Sequence, residues 1–353
     1  MKKSGKKDIG DILALTPMQE GMLSHYLQAP GSHHYVEQLI LTVSGEIRFD
    51  RFKKAWTHVI QTNDALRTFF RWEKLEKPVQ VILKEHYPEL IFFDLSAFQD
   101  DNEKQYRFEK IIREDREKKF DLRQVPFRVL LCKSSDRDYR LVISNHHILY
   151  DGWSSGIILK EFFQAYTVLE KGEVKPTTLT TTATTAVKPS FNEFIRWYQT
   201  RDRDKQKQFW EDYLQGFTSR PSFPIKIKRE RIKQDHKGYE GPGPVKEFSF
   251  AVEKGIKERL DDFLKERQVT PAAFFYSAWG LLLQKYCDSD DVVFGTTVSG
   301  RSVPINGIEH MVGLFINTLP LRVTSNTGET LSDLLLKVNE DLLAREKYEN
   351  TTL

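Results

Sequence analysis

The segment Ser144-Asn145-His146-His147-Ile148-Leu149-Tyr150-Asp151-Gly152-Trp153-Ser154 concentrates the reactive side chains of this sequence. A β-rich run ends in two adjacent histidines, and four residues after the second an Asp-Gly pair leads into an apolar helical pattern. Imidazole titrates near neutrality, so a histidine presented at a strand end suits proton transfer. Successive side chains of a strand face opposite ways, which keeps His146 and His147 out of a common pocket. That argues against a two-histidine metal site, and no further ligand stands at a zinc-like spacing. One imidazole is expected to be buried and structural, the other presented to substrate. Asp151 either orients an imidazole or holds the turn by pairing with a cation.

A second pattern overlaps the first. Gly152-Trp153-Ser154-Ser155-Gly156 matches G-x-S-x-G, the nucleophile elbow of α/β hydrolases. An elbow needs a strand running straight into its first glycine, and here the strand ends several residues earlier. Its triad also needs a later histidine, and only His236 and His310 follow. The match is read as incidental.

Periodicity supplies the elements that position these residues. Residues 127–146 read as two strands around a Ser134–Asp138 turn, and 153–170 as a helix with Ile157, Ile158, Phe162, Phe163 and Tyr166 at helical spacing. Upstream, 11–28 reads as a helix opening at Thr16-Pro17, where Thr caps and Pro fits the first position. A strand over 35–44, an amphipathic helix over 50–62, short strands at 66–72 and 79–83 and a charged helix over 103–119 follow. That charge run is a solvated helix face. Downstream come a helix over 190–216, a Lys/Arg-rich loop at 225–238 and a strand at 246–252. A helix over 271–286 is apolar nearly all round and is expected to be buried. Strands at 291–299 and near 314–323 precede a last helix at 330–346. Residues 176–186 hold seven threonines and no charge, a low-complexity linker. The pattern gives an α+β fold in two halves, 1–175 and 190–353, joined by a linker at 176–189.

At 353 residues, with 39% hydrophobic and 12% aromatic side chains, the chain has material for two sizeable cores. Its 53 Lys and Arg balance 50 Asp and Glu to a net +3, which excludes an acidic disordered chain and gives no global case for nucleic acid. No apolar run approaches the roughly 18 residues of a membrane helix, and the basic start is not followed by a signal-peptide core. Two cysteines, Cys132 and Cys287, exclude a disulfide framework or a cysteine-rich metal site. These features describe a soluble, cytoplasmic globular protein.

His146-His147-Ile-Leu-Tyr-Asp151-Gly152 resembles the HHxxxDG signature of condensation domains of non-ribosomal peptide synthetases. Other segments agree in order. Leu15-Thr-Pro-Met-Gln-Glu-Gly-Met-Leu23 resembles the family's opening motif, and Ala65-Leu-Arg67-Thr-Phe69 its RHExLRTxF segment, with Thr62-Asn63-Asp64 replacing Arg-His-Glu. Phe191-Asn-Glu-Phe-Ile-Arg-Trp197, Phe294-Gly-Thr-Thr-Val-Ser-Gly-Arg301 and Met311-Val-Gly-Leu-Phe-Ile-Asn317-Thr-Leu-Pro-Leu-Arg322 resemble later motifs. Epimerisation domains and other acyltransferases share HHxxxDG and stand as alternatives.

The resemblance implies two chloramphenicol acetyltransferase-like lobes in a V arrangement around a central tunnel. It implies amide formation between a donor thioester and an acceptor amine, each carried on the phosphopantetheine arm of a carrier protein, with an adenylation domain adjacent. No metal and no directly bound cofactor is expected. His147 takes the catalytic position and His146 a structural one. Asp151 is expected to pair with Arg67, Gly152 to let the chain turn tightly beside substrate, and Asn317 to donate a hydrogen bond from the tunnel side. The family's length implies roughly a hundred further second-lobe residues beyond Leu353 (domains of this kind bury more surface as they grow). The chain is therefore expected to be C-terminally truncated with an incomplete second lobe, an inactive truncated remnant stands as an alternative, and the donor and acceptor stereochemistry stays open.

Overall fold

A computed structural model describes residues 8–30, 32–171, 188–218 and 248–351. Contacts divide the chain into one unit of Met1–Arg201 with Val303–Ile316 and another of Asp202–Ser302 with Asn317–Leu353. The Thr-rich stretch up to residue 187, the basic loop at 225–238 and the basic start lie outside the described residues.

The first unit runs β1 (Ile9–Ala14), α1 (Pro17–Gln28), β2 (Val36–Ser44), α2 (Phe49–Thr62), a 3₁₀ turn (Asp64–Arg67), β3 (Thr68–Arg71) and β4 (Val79–Leu83). It continues with β5 (Glu89–Asp94), α3 (Asp101–Glu117), β6 (Phe127–Lys133), β7 (Asp138–His146), α4 (Gly152–Glu170) and α5 (Phe191–Gln199). Antiparallel strands order as β1-β4-β3 in one sheet and β2-β7-β6-β5 in the other, where only β5 and β6 run parallel.

Both faces of the β6–β7 hairpin are covered, so its strands are apolar almost throughout. Phe127, Val129 and Leu131 stand opposite Asn145, Ile143 and Leu141 on the face that meets α2 and α4. Phe52, Ala55, Trp56, Val59 and Ile60 of α2 recur at helical spacing and are fully buried there, Trp56 stacking on Phe162 of α4 at 4.7 Å. Leu130, Cys132 and Val142 take the other face, under Phe108 of α3. Arg128 on that face forms a buried ion pair with Asp115 of α3, whose carboxylate also accepts from Ser144 and, at 2.7 Å, from Gln38. A buried pair of this kind needs such extra partners.

This unit extends beyond the expected residue 175. Phe191, Phe194 and Ile195 of α5 pack with Leu13, Ile82, Ile308, Met311 and Phe315, so α5 and 303–316 belong with the first half. Residues 312 and 314 face the main core while 311 and 315 face α5. Gly313 is required there, since a Cβ would lie 2.5 Å from the Phe191 ring. The helix expected over 190–216 breaks at Thr200, where Asp202 caps α6 (Arg203–Tyr213).

The second unit comprises α6, α7 (Lys254–Arg267), α8 (Pro271–Cys287), β8 (Asp291–Val298), β9 (Asn317–Thr324) and α9 (Leu331–Glu346). Antiparallel β8 and β9 lay Val292, Leu321 and Val323 against Leu264 of α7, Leu283 of α8 and Leu334, Leu335 and Val338 of α9. Arg322 of β9 grips Asp291 with two hydrogen bonds of 2.9 and 2.7 Å. Two expectations are corrected. Residues 248–252 form no strand. α8 is not buried all round: it packs one side, where a Cβ on Gly280 would lie 2.7 Å from Val323, and leaves Phe275, Trp279, Leu282 and Tyr286 exposed.

Candidate active site

The two histidines sit at the end of β7 and differ in every respect that matters for chemistry. His146 is buried between Tyr26 and Tyr35, at ring separations of 6.1 and 5.9 Å. Its Nδ1 accepts the Ile148 N–H at 3.2 Å, which places the proton of the neutral ring on Nε2. That Nε2 has no hydrogen-bond partner. Burial, aided by the nearby His147, pushes its pKa down to about 3, so it stays neutral.

His147 is partly exposed, at 19% of its side chain. Its backbone N–H donates to Tyr35 O at 2.8 Å. Tyr35 meets it in a left-handed conformation (φ 62°), an uncommon geometry for an aromatic residue and one that clusters at functional sites. The His147 Nδ1 lies 2.8 Å from Tyr150 O. A carbonyl oxygen only accepts, so Nδ1 carries the proton and the neutral ring keeps its lone pair on Nε2. Nε2 lies 3.6 Å from Glu37 Oε1. The alternation expected of the strand end holds: one imidazole is enclosed and the other offers a basic nitrogen.

The loop after His147 is fixed from several directions. Thr16 and Gln19 form a capping box at the start of α1, and Gln19 Nε2 donates to Ile148 O at 3.2 Å. Tyr150 is buried and donates its hydroxyl to Asn145 Oδ1 at 2.8 Å. Burial raises its pKa, and Glu37 raises it further, so the phenol stays protonated.

Asp151 is fully buried, and its pairing is not the expected one. Its Oδ1 accepts from Ser154 N at 3.0 Å and Ser154 Oγ at 2.8 Å, capping α4, while Oδ2 accepts from Phe315 N at 3.0 Å. Gly313 N donates to Ser154 Oγ at 3.1 Å and Asp151 N to Gly313 O at 3.2 Å. Asp151 thus ties the strand-helix turn to 313–315. These backbone groups are spent on Asp151 and Ser154, which is why the strand expected from 314 begins only at Asn317.

Arg67 pairs instead with Asp64 at 2.7 Å and bonds to the carbonyls of Ile60, Leu83 and Lys84. Its sequence neighbour Asp64 captures it through a one-turn contact, so no partner is needed from α4. Ser154, the serine of the G-x-S-x-G pattern, is fully buried and works as a hydrogen-bond bridge.

Two further expectations change. Gly152 lies in the first turn of α4 without a positive φ, and a Cβ there would meet nothing within 4 Å, so backbone geometry does not demand glycine. Asn317 spends its amide donors on Glu349 O and Thr351 O, both at 2.9 Å, and closes the end of its own unit.

Glu37 was not picked out by sequence reasoning, although a signal existed. Leu39, Leu41 and Val43 share its parity on β2 and pack on the core face. A carboxylate on the apolar side of a strand breaks the binary pattern. No group of three or more His, Cys, Asp and Glu able to hold a metal occurs among the described residues, and no helix among them is long and apolar enough to cross a membrane.

A family model described as "Condensation domain" matches residues 9–353. Tyrocidine synthase 2 of Brevibacillus parabrevis is 34% identical over 354 residues, and surfactin synthase subunit 3 of Bacillus subtilis (strain 168) is 32% identical over 354 residues. The alignments cover 100% of this chain but only 9% and 26% of those proteins. Among solved structures, the starter condensation domain of rhizomide synthetase shares the fold at a TM-score of 0.74 and 20% identity, over 96% of this chain and 73% of that one.

Proposed function

The chain belongs to the condensation-domain family, and from that premise we propose that it forms an amide bond between two carrier-bound substrates. The donor is an acyl or peptidyl thioester and the acceptor an aminoacyl thioester, each on the phosphopantetheine arm of a carrier protein. The arm belongs to the carriers and enters as substrate. An adenylation domain in the same assembly line supplies the activated acceptor. A cytoplasmic location suits both free thiols, the form a reducing compartment maintains.

One observation carries this reading: His147 Nδ1 is held on Tyr150 O, so the lone pair of Nε2 is offered at a partly exposed strand end. There Nε2 takes a proton from the acceptor nitrogen as that nitrogen bonds to the donor carbonyl carbon. The C–S bond then breaks, and the departing thiolate receives a proton from the imidazolium. A positioned base of this kind typically contributes about 10²–10⁴-fold. His146, neutral and enclosed, holds the strand end, and Asp151 holds the turn.

The test supplies the chain with one carrier bearing a donor and another bearing an acceptor, and follows the acceptor carrier by intact-protein mass spectrometry. The donor acyl group should move to the acceptor, and His147→Ala should slow the transfer by about 10²–10⁴-fold at an unchanged melting temperature. No transfer by the wild-type chain, or full transfer by His147→Ala, would overturn the reading.

A further inference from the structure

The carboxylate of Glu37 lies 3.6 Å from the basic nitrogen of His147, and among the described residues it makes no hydrogen bond. Glu37 stands opposite Asn145 in the β2–β7 register, one diagonal step from His147 and on the same face of the sheet. Its side chain is 44% exposed, and its contact with His147 Nε2 at 3.6 Å is the one ion-pair or hydrogen-bond contact of the carboxylate among the described residues. A structural carboxylate on the core side of a strand would be expected to accept several hydrogen bonds, as Asp115 and Asp151 do.

The distance is also informative. At 3.6 Å the two atoms exceed hydrogen-bond length, so they do not satisfy one another. Both are acceptors while the imidazole is neutral. Two adjacent acceptors, one anionic and one basic, suit a cationic donor with several N–H groups. An ammonium bonding to both at about 2.9 Å with tetrahedral angles would set them about 4.7 Å apart. A side-chain adjustment of about 1 Å by the half-exposed Glu37 supplies the difference.

We propose that Glu37 anchors the acceptor substrate by its protonated α-amine and delivers that amine to His147. This rests on the amide-forming reading above. The ammonium bonds to the Glu37 carboxylate and loses one proton to solvent as it reaches His147. The freed amine attacks the thioester carbon while His147 Nε2 takes a second proton from the nitrogen, and the N–C bond forms. The C–S bond then breaks as the thiolate takes that proton from His147. One amide, one thiol and one released proton result, with no other reactant. During this sequence Glu37 faces the His147 imidazolium at ion-pair distance. The donor, which presents no ammonium to this pair, does not depend on Glu37.

Two probes separate this role from a structural one: an aminoacyl N-acetylcysteamine thioester with a free α-amine, and the same molecule N-acetylated. Titrated into the chain and followed by NMR, the charged probe should bind the wild type more tightly than the acetylated one. Glu37→Gln should weaken the charged probe about tenfold, leave the acetylated probe unchanged and so erase the difference; Glu37→Asp should retain most of it. In the amide-forming assay, Glu37→Gln should raise the acceptor KM by a similar factor without changing the donor KM. Equal binding of both probes by the wild type, or an equal loss of both in Glu37→Gln, would overturn the proposal. The binding arm is read without turnover, so an absence of condensation counts against the amide-forming reading, while an unchanged Glu37→Gln counts against the anchor.

Discussion

The first unit closes a four-stranded sheet between helices on both faces, whereas the second lays its helices on two strands and leaves one side of α8 to solvent. Both use the same kinds of element and both have a buried apolar cluster. They differ in what the polar groups do. In the first unit Gln19, Tyr150, Asp151 and Ser154 are buried and bonded to the loop that carries His147 or to the segment behind it. In the second, Asn317, Arg322 and Arg345 join the ends of its own elements. Precise placement of a reactive side chain needs a supporting shell whose own rotamers are fixed, and among the described residues the first unit provides one around His147.

The sharpest way to break this contrast is to remove the aromatic centre of the first core. Trp56 is fully buried and stacked on Phe162, so Trp56→Ala should cost about 3–5 kcal/mol and abolish cooperative melting of that unit. A loss below about 1 kcal/mol in urea unfolding would show that α2 and α4 do not organise the core. Next in size is Asp151→Ala. It removes the Asp151 carboxylate that accepts from the N–H groups of Ser154 and Phe315, at about 1–2 kcal/mol each and roughly 2–4 kcal/mol in total. Combined with Arg67→Ala the two losses should add within about 0.5 kcal/mol, because Arg67 is bonded elsewhere. A coupling above about 1 kcal/mol would restore the Arg67–Asp151 pair.

Acid should separate the units by a smaller amount. His146, His58 and His86 all lie in the first unit, and burial lowers the pKa of each. The unfolded chain therefore binds protons below about pH 6.5 that the native unit refuses, and stability falls as pH drops, by at most about 1.4 kcal/mol per pH unit for each group. For His146 the fall continues towards pH 3. In the second unit burial raises Asp341 and Glu349, with Lys337 opposing at Asp341 and the Gly300 N–H at Glu349. Raised carboxylates act in the opposite sense: their contribution is complete below the ordinary carboxylate range and is lost as pH rises through the native pKa. Pulsed hydrogen exchange after equilibration at successive pH values should show 127–146 losing protection before 317–346. Simultaneous loss would remove this distinction.

The smallest effect belongs to α8. Trp279 is 44% exposed, and Trp279→Ala should change stability by no more than about 0.5 kcal/mol. A loss near that of Trp56→Ala would show that α8 is enclosed on both sides after all.

Much of the first unit is legible in sequence because its periodicities are clean. The apolar stripe of α2, the turn between β6 and β7 and the Thr-Pro opening of α1 each have one physical reading. The second unit is less so. α7 has a weak apolar pattern, and α8 looks buried because the residues of its open side are as apolar as those it packs. At the site, the two histidines and their opposite facing are readable from the strand period. The partner of Asp151 is not, since a contact with 313–315 spans more than 160 positions and involves backbone N–H groups, which have no sequence signature. Glu37 was readable through its parity on β2, and Tyr35 was not, because nothing in its identity announces a positive φ.

Adjacent histidines are held in opposite tautomers, one enclosed and one presenting a basic Nε2. Long-range ¹H–¹⁵N correlation of the imidazole nitrogens at pH 8, assigned with His146→Gln and His147→Gln, tests it directly. His146 should show a protonated Nε2 and an unprotonated Nδ1, and His147 the reverse. A His147 ring protonated on Nε2 would leave no free lone pair at the exposed strand end and would rule out His147 as the proposed base.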